Sequence, residues 1–289
     1  EESMPKTRSI IHVSRSQATL EGAGVHLRRA FGFGDTQLTD PFLLLDDFRG
    51  DDPAHYSKGF PWHPHRGIET ITYVTAGRVA HGDSLGNQGV IGPGDVQWMT
   101  AGNGIIHQEM PSGDAQGRMW GFQLWANLPA AHKMMEPRYR DVKAADIPVV
   151  ALDSGALVRV ICGEVNGARG PAQDIIIEPQ VLDVSVPAGA VFTHPTPPGH
   201  TVFAYIFEGQ GLFGADDGAQ SLGNQMLVVF GDGEQVQVEG AEQGVRFLLV
   251  SGQPLKEPVA WRGPIVMNTQ AELRLAFEEY RNGTFIKKR

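Results

Sequence analysis

The 289-residue sequence contains a single cysteine, Cys162, so no disulfide can form within the chain. A chain without such a bond fits a reducing compartment, and we expect the protein to work in the cytoplasm. Cys162 directly follows the largely apolar residues 157–161. We interpret it as a small buried side chain rather than as a reactive thiol.

Long apolar runs and an excess of positive charge are also missing. No window reaches the roughly 18 uninterrupted apolar residues of a membrane-spanning helix, and the first residues do not have the pattern of a signal peptide. The 24 basic residues are outnumbered by 33 acidic ones, which gives a net charge of -9 at pH 7. This balance argues against a nucleic-acid-binding surface. We therefore expect neither a membrane nor a direct nucleic-acid partner.

Glycine and proline are abundant, with 36 and 19 residues, and they recur at short intervals between β-branched segments. Many short strands separated by turn residues are typical of an all-β sandwich or barrel. A clear helical pattern occurs near the C-terminus, where Leu273, Ala276, Phe277 and Tyr280 have i, i+3, i+4, i+7 spacing. We predict an all-β fold with one short C-terminal helix.

Two segments of the sequence resemble each other, which indicates an internal repeat. Residues 70–77 read TITYVTAG, and residues 202–209 read VFAYIFEG. A connector rich in proline, alanine and charge, residues 127–146, lies between the two copies. We therefore predict two consecutive domains, residues 4–140 and residues 141–289, with the C-terminal helix in the second.

Two pairs of potential metal ligands are present, His63 with His65 and His107 with Glu109. Each pair has i, i+2 spacing, so both side chains of a pair would point to the same face of a β-strand. If the two strands are neighbours, three imidazoles and one carboxylate converge on one point. That donor set suits one divalent transition metal ion, with Fe, Ni, Cu, Co, Mn and Zn all compatible.

The spacing around these pairs resembles the two sequence motifs of the cupin superfamily. The first motif is matched by Gly59, His63, His65, Glu69 and Gly77, and the second by Gly94, Thr100, Gly102, His107 and Glu109. Both motifs depart from the general cupin pattern in the way that pirins do. Further stretches similar to the pirin family are His81-Gly-Asp-Ser-Leu-Gly-Asn87, Gln123-Leu-Trp-Ala-Asn-Leu-Pro129 and Pro258-Val-Ala-Trp-Arg-Gly-Pro264. The resemblance covers almost the whole chain.

The resemblance to pirins implies a bicupin, a fold of two consecutive β-barrels of the double-stranded β-helix type. It also implies one metal ion, usually iron, in the N-terminal barrel. The implied ligands are His63, His65, His107 and Glu109, and Glu69 is the alternative carboxylate ligand. The C-terminal barrel is expected to lack the site. The residues that align there with the ligands are Pro195, Pro197, Val236 and Val238.

Bacterial and human pirins are associated with quercetin 2,3-dioxygenase activity, so the resemblance implies a flavonol-like substrate and dioxygen. Glu109 is expected to be both a ligand and the catalytic base that takes a proton from the substrate hydroxyl. The alternative is a regulatory protein whose metal or redox state controls its binding to a transcription factor or a metabolic enzyme. The sequence leaves both functions open.

Other residues near the motifs have two interpretations. Five large side chains either line an aromatic-binding cavity or belong to the core, namely Trp62, Trp98, Met99, Trp120 and Phe122. Arg66 either binds an anionic group or forms a buried ion pair. The remaining titratable candidates are interpreted as structural, and these are His81, Asp83, His194 and His200.

Overall fold

The computed structural model describes residues 4–287 of the chain. These residues form two compact units, each assembled from segments that are separate in the sequence. The first unit contains residues 17–36, 42–144 and 255–287, and the second contains residues 4–16, 37–41 and 145–254.

The described residues are mainly β-strands, as the sequence predicts. In chain order the strands are β1 (Ile10–Arg15), β2 (Gln17–Glu21), β3 (Val25–Phe31), β4 (Phe42–Asp47), β5 (Phe60–His65), β6 (Ile68–Ala76), β7 (Arg78–Asp83), β8 (Gln88–Ile91), β9 (Val96–Thr100), β10 (Ile105–Ser112), β11 (Trp120–Asn127), β12 (Arg138–Val142), β13 (Val149–Ala151), β14 (Leu157–Cys162), β15 (Glu164–Val165), β16 (Ala168–Arg169), β17 (Gln180–Val186), β18 (Val191–Pro195), β19 (Thr201–Phe213), β20 (Gln220–Gly223), β21 (Met226–Phe230), β22 (Gln235–Gly252), β23 (Ala260–Arg262) and β24 (Ile265–Met267). The α-helices are α1 (Thr36–Thr39) and α2 (Gln270–Arg281), and short 3₁₀ helices cover Phe33–Asp35, Pro53–His55, Ala130–His132, Ala144–Asp146 and Asp216–Gly218.

The first unit contains a seven-stranded and a four-stranded antiparallel sheet. Their strand orders are β12-β9-β6-β11-β4-β3-β2 and β5-β10-β7-β8. Along β10, buried residues alternate with more exposed ones, so that Ile105, His107, Glu109 and Pro111 are all buried. This alternation places His107 and Glu109 on the inner face of the smaller sheet.

The second unit is built on one continuous sheet with the order β1-β21-β19-β22-β17-β14-β13, to which β18 and β20 add by pairing with β22 and β19. Its interior is filled with apolar side chains. Among these are Val160, Phe192, Val236, Val238 and Phe247, all almost completely buried. Two of the residues aligned with the metal ligands, Val236 and Val238, therefore belong to a hydrophobic core.

The C-terminal helix α2 is present as predicted, and Thr269 caps it by accepting a hydrogen bond from the Glu272 amide at 3.2 Å. The sequence prediction assigned this helix to the second domain, but the helix belongs to the first unit. The reason is its apolar face. Leu273 and Ala276 are buried in one cluster with Ile265 of β24.

No helix within residues 4–287 is both long enough and apolar enough to span a membrane.

Candidate metal centre

The strands that carry the two ligand pairs are direct neighbours. β5 and β10 pair antiparallel, with His63 opposite His107 and His65 opposite Ile105. A register shift follows between His107 and Glu109. The pairing supplies the adjacency that the sequence alone could not establish, and it brings the side chains of three histidines together.

The three imidazoles meet through their Nε2 atoms. The His63 Nε2 atom lies 3.1 Å from His65 Nε2 and 2.9 Å from His107 Nε2. For metal–nitrogen bonds of about 2.1 Å, two nitrogens at right angles around one ion are about 3 Å apart. The spacing therefore matches three ligands of one metal ion. His65 and His107 are buried, whereas His63 is partly exposed.

Hydrogen bonds fix the tautomers of two of these rings. The Nδ1 atom of His63 lies 2.7 Å from the Pro61 carbonyl oxygen, and the Nδ1 atom of His65 lies 2.9 Å from the Pro264 carbonyl oxygen. Because a carbonyl oxygen can only accept, each Nδ1 carries a hydrogen, and the lone pair of the neutral imidazole is then on Nε2. Facing lone pairs repel each other unless a cation lies between them. The donor set therefore fits a bound metal ion.

The environment also keeps the imidazoles in the form that binds metals. Burial lowers the pKa of His65 to about 3, and the neighbouring His63 contributes in the same direction. Burial lowers the pKa of His107 well below its ordinary value, with further contributions from His65, His63 and His81. Both rings are neutral near pH 7, so no proton competes with a metal for their nitrogens.

Glu109 lies on the same face of β10 but outside the group of converging nitrogens. Within residues 4–287, the side chains close enough to share one metal ion are His63, His65 and His107. The buried Glu109 carboxylate accepts a hydrogen bond of 2.9 Å from the Thr72 hydroxyl and one of 2.7 Å from the Gln123 amide. Its role as fourth ligand remains a prediction.

Gln123 is oriented by a further hydrogen bond, which the sequence gave no reason to expect. The Trp125 indole nitrogen donates to the Gln123 Oε1 atom at 3.0 Å. This bond directs the Gln123 amide nitrogen toward Glu109. The resulting chain from Trp125 through Gln123 to Glu109 holds the carboxylate in one orientation.

The alternative carboxylate, Glu69, is fully buried on β6, opposite Thr100 of β9. Its Oε1 atom accepts a hydrogen bond of 2.6 Å from the Thr100 hydroxyl. Burial raises the pKa of Glu69 above its ordinary value. Glu69 lies outside the three-histidine group, and its role as the alternative carboxylate ligand stays a prediction.

His81, Asp83 and Arg66 make structural contacts. The His81 ring hydrogen-bonds to Asp83 at 3.0 Å, and Asp83 also accepts from the backbone of the following turn. The buried Arg66 forms an ion pair of 2.7 Å with Glu279 of α2. It also donates to the Asn103 carbonyl oxygen at 2.7 Å, so Arg66 ties helix α2 to the loop that precedes β10.

The second unit retains one histidine at a related position. Val236, which aligns with His107, pairs with His194 of β18. By strand pairing, His194 therefore corresponds to His63, whereas the sequence alignment had placed Pro195 at the position of His63. His194 is buried, and its Nε2 atom hydrogen-bonds to the Gln180 side-chain oxygen at 2.7 Å. The group of three potential ligands found within residues 4–287 lies in the first unit.

A cavity of about 510 Å³ adjoins the histidines in the first unit. Its lining includes His63, His65, Gln123, Phe33, Phe60, Trp125 and Trp261, together with Glu21, Arg29 and Asp46. This volume is in the usual range for a small-molecule site. The aromatic walls are in contact with one another, since the ring centroids of Trp125 and Trp261 are 6.0 Å apart.

The aromatic residues that line the cavity are not among the five large side chains that the sequence offered as candidates. Trp98, Met99 and Phe122 are buried in the core, Trp62 is 54% exposed, and none of the five lines this cavity. A signal for the correct residues was present in the sequence. Trp125 is spaced i, i+2 from Gln123, and Trp261 stands in the pirin-like stretch of residues 258–264.

Comparison with known proteins gives matches along most of the chain. Residues 24–126 match the family model described as Pirin, and residues 181–286 match the one described as Pirin C-terminal cupin domain. A pirin-like protein of Caulobacter vibrioides is 44% identical over 279 residues, which are 96% of this chain and 99% of that protein. Pirin of Homo sapiens is 41% identical over 272 residues, 93% of this chain and 90% of that protein.

Among solved structures, quercetin 2,3-dioxygenase from Acinetobacter baumannii matches with a TM-score of 0.88 at 33% identity, covering 96% of this chain and 98% of that one. These matches confirm the predicted bicupin fold.

Proposed function

Because the chain belongs to the pirin family, we propose that it is a metal-dependent dioxygenase that opens the ring of flavonols such as quercetin. The convergence of three Nε2 atoms beside an aromatic cavity is the observation that carries this proposal. It is supported by the similarity to a protein solved as a quercetin 2,3-dioxygenase. Substrate and dioxygen would both reach the histidines through this cavity.

His63, His65 and His107 would hold the metal, with Glu109 as the proposed fourth ligand. We propose iron, and the same nitrogen and oxygen donors also fit Ni, Cu, Co, Mn and Zn. When bound, the metal supplies Lewis acidity that lowers the pKa of a substrate hydroxyl and promotes the reaction of the resulting anion with dioxygen.

The residues around the histidines would position the substrate and move its proton. The rings of Trp125 and Trp261 offer apolar surfaces for a flat aromatic molecule and keep water away from it. Glu109 would accept the proton of the substrate hydroxyl as general base. Its hydrogen bonds from Thr72 and Gln123 hold the accepting oxygen atoms in place.

Oxygen uptake with quercetin tests the proposed reaction. Metal-loaded wild type should consume dioxygen, and His63→Ala should lose at least about 100-fold in rate because it removes one of the ligands. His194→Gln, which changes a buried histidine of the second unit, should retain the wild-type rate. If wild type showed no uptake with any of several metals and flavonols, the enzyme proposal would be wrong and the regulatory alternative would be favoured.

Replacement of the proposed base gives a second test. Glu109→Gln should keep the shape of the side chain but lower kcat about 100-fold or more, because an amide cannot take the proton. Metal content, measured on the same sample, separates loss of the base from loss of the metal. Full turnover by a Glu109→Gln protein that retains its metal would rule out the proposed role.

A further inference from the structure

A row of polar side chains crosses the larger sheet of the first unit at the cavity. Arg29 of β3 lies opposite Asp46 of β4, and Asp46 lies opposite Gln123 of β11. All three side chains line the cavity that adjoins the histidines. Neighbouring strands are about 4.8 Å apart, so the row extends about 10 Å from Gln123 to Arg29. The cavity thus connects the Glu109 side of the metal centre to a charged pair.

Arg29 and Asp46 form a tight ion pair. Arg29 donates from Nε to Asp46 Oδ1 and from Nη2 to Asp46 Oδ2, both at 2.8 Å, and Arg29 also lies 3.0 Å from Glu21. These contacts use only part of the hydrogen-bonding capacity of the Arg29 guanidinium and the Asp46 carboxylate. A guanidinium has five N–H donors, and each carboxylate oxygen can accept more than one hydrogen bond. The pair can therefore both donate to and accept from a ligand.

The charges at this end of the cavity select among polar ligand groups. One guanidinium faces two carboxylates, Asp46 and Glu21, so a carboxylate or sulfate on the ligand would meet net repulsion. A hydroxyl group would instead accept a hydrogen bond from Arg29 and donate one to Asp46. Burial raises the pKa of Asp46 to about 6, so the carboxylate is mainly ionised and able to accept at neutral pH.

We propose that the Arg29–Asp46 pair binds a hydroxyl group on the part of the substrate remote from the histidines. The inference rests on the proposed function and narrows its substrate class. The preferred substrates are flat aromatic enols that carry a phenolic hydroxyl on the ring farthest from the metal centre, where it would lie at the Arg29–Asp46 end of the cavity.

Two flavonols that differ at one position test this inference. Kaempferol has a single hydroxyl on its pendant phenyl ring, and galangin has none there. We expect metal-loaded wild type without dioxygen to bind kaempferol at least about 10-fold more tightly, since a satisfied hydrogen bond to a charged group has roughly this effect. Tryptophan fluorescence quenching measures both dissociation constants, because Trp125 and Trp261 line the cavity.

The double variant Arg29→Met/Asp46→Leu removes the pair without leaving one charge buried alone. It should bind both flavonols with similar affinity, and its affinity for galangin should stay within about 3-fold of wild type because only the hydroxyl contacts are lost. Asp46→Asn is a milder variant that should reduce the preference for kaempferol if the double variant does not fold.

The second unit offers a matched control. Arg246 and Asp183 form the same two-bond ion pair, with distances of 2.9 Å and 2.7 Å, and Arg246 also lies 3.4 Å from Glu208. Arg246→Met/Asp183→Leu should therefore keep the full preference for kaempferol.

The inference would be overturned if wild type bound kaempferol and galangin equally well. It would also be overturned if both the double variant and Asp46→Asn still preferred kaempferol. Failure to bind either flavonol would overturn it too. A preference that depends on Arg29 and Asp46, found in a protein that consumes no dioxygen, would support the hydroxyl site while refuting the proposed reaction.

Discussion

Burial controls the protonation of several histidines in this protein. His65 and His107 belong to the three-histidine group and His194 lies inside the second unit, and burial is the largest cause of the lowered pKa in each case. A neutral imidazole can act as a metal ligand when its lone pair faces other nitrogen donors, as the Nε2 atom of His65 does. It is a structural hydrogen-bonding group when it faces an amide, as in His194.

Folding stability should depend on pH through His194. Burial lowers the pKa of His194 from its ordinary value of 6.5 to about 4. The unfolded chain therefore binds more protons between these values, and the free energy of unfolding should fall as the pH is lowered from about 6.5 to about 4. His194→Gln should remove about 2 kcal/mol of the loss between pH 7 and pH 5. Urea unfolding at both pH values measures it, and an unchanged pH dependence would contradict the assignment.

For individual residues, the sequence predicted much of the candidate site. The i, i+2 spacing singled out His63, His65 and His107 because strand geometry places alternate residues on one face, and the pairing of β5 with β10 then brings the two strands together. The contacts of Glu109 could not be predicted in the same way. Thr72 and Gln123 come from two other strands, and their closeness depends on the register of the folded sheet.

The hairpin formed by β23 and β24 lies beside the end of β5, the strand that carries His63 and His65. The carbonyl oxygen of Pro264 fixes the tautomer of His65, and the Val266 amide donates to the Arg66 carbonyl oxygen at 3.1 Å. The buried ammonium of Lys133 donates at 2.9 Å to the Val266 carbonyl oxygen. The orientation of His65 therefore depends on a segment about 200 residues later in the chain.

Lys133 is buried, yet every N–H donor of its side chain has a hydrogen-bond acceptor. Its ammonium has three donors and three acceptors, which are the carbonyl oxygens of Gly67 and Val266 and the side-chain oxygen of Asn127. An ammonium with all donors paired offsets part of the cost of its burial. The result is a fixed link between the turn after His65, the end of β11 and β24.

A substitution at Gly67 tests whether the metal site depends on this hairpin. Its φ is +82°, and a Cβ there would lie 1.9 Å from the Val266 carbonyl oxygen. Gly67→Ala should displace β24 and weaken metal binding about 10-fold or more, because the carbonyl oxygen that orients His65 moves with it. Competition with a chelator measures the affinity.

Gly86 is the matched control for this substitution. Its φ is +86°, but no atom lies within 4 Å of a Cβ built there. Gly86→Ala should therefore cost only the roughly 1–2 kcal/mol of a left-handed backbone and leave metal affinity unchanged. Equal metal affinities in wild type, Gly67→Ala and Gly86→Ala would mean that the hairpin does not orient His65.

Helices and strands were easier to predict than the surfaces against which they pack. The spacing of Leu273 and Ala276 identified helix α2 correctly. The sequence order suggested that the helix belongs to the second domain, whereas its apolar face packs with Ile265 and Phe285 in the first unit. Hydrophobic periodicity indicates that a face is buried, but not which surface buries it.

For the whole molecule, two related units have different interiors. The first unit has converging imidazoles beside a cavity, and the second has Val236 and Val238 in an apolar core. Apolar side chains offer no ligand atoms, so His194 lacks the neighbours that a metal would need. The described part of the chain is thus expected to bind one metal ion.

Metal content after loading with a divalent transition metal is the most direct test of the central claim. We predict one ion per chain in wild type and almost none in His107→Ala, because the variant removes the nitrogen donor that β10 contributes to the three-histidine group. His194→Gln should retain one ion. A wild type that binds no metal, or a His107→Ala protein that binds as much as wild type, would contradict the account.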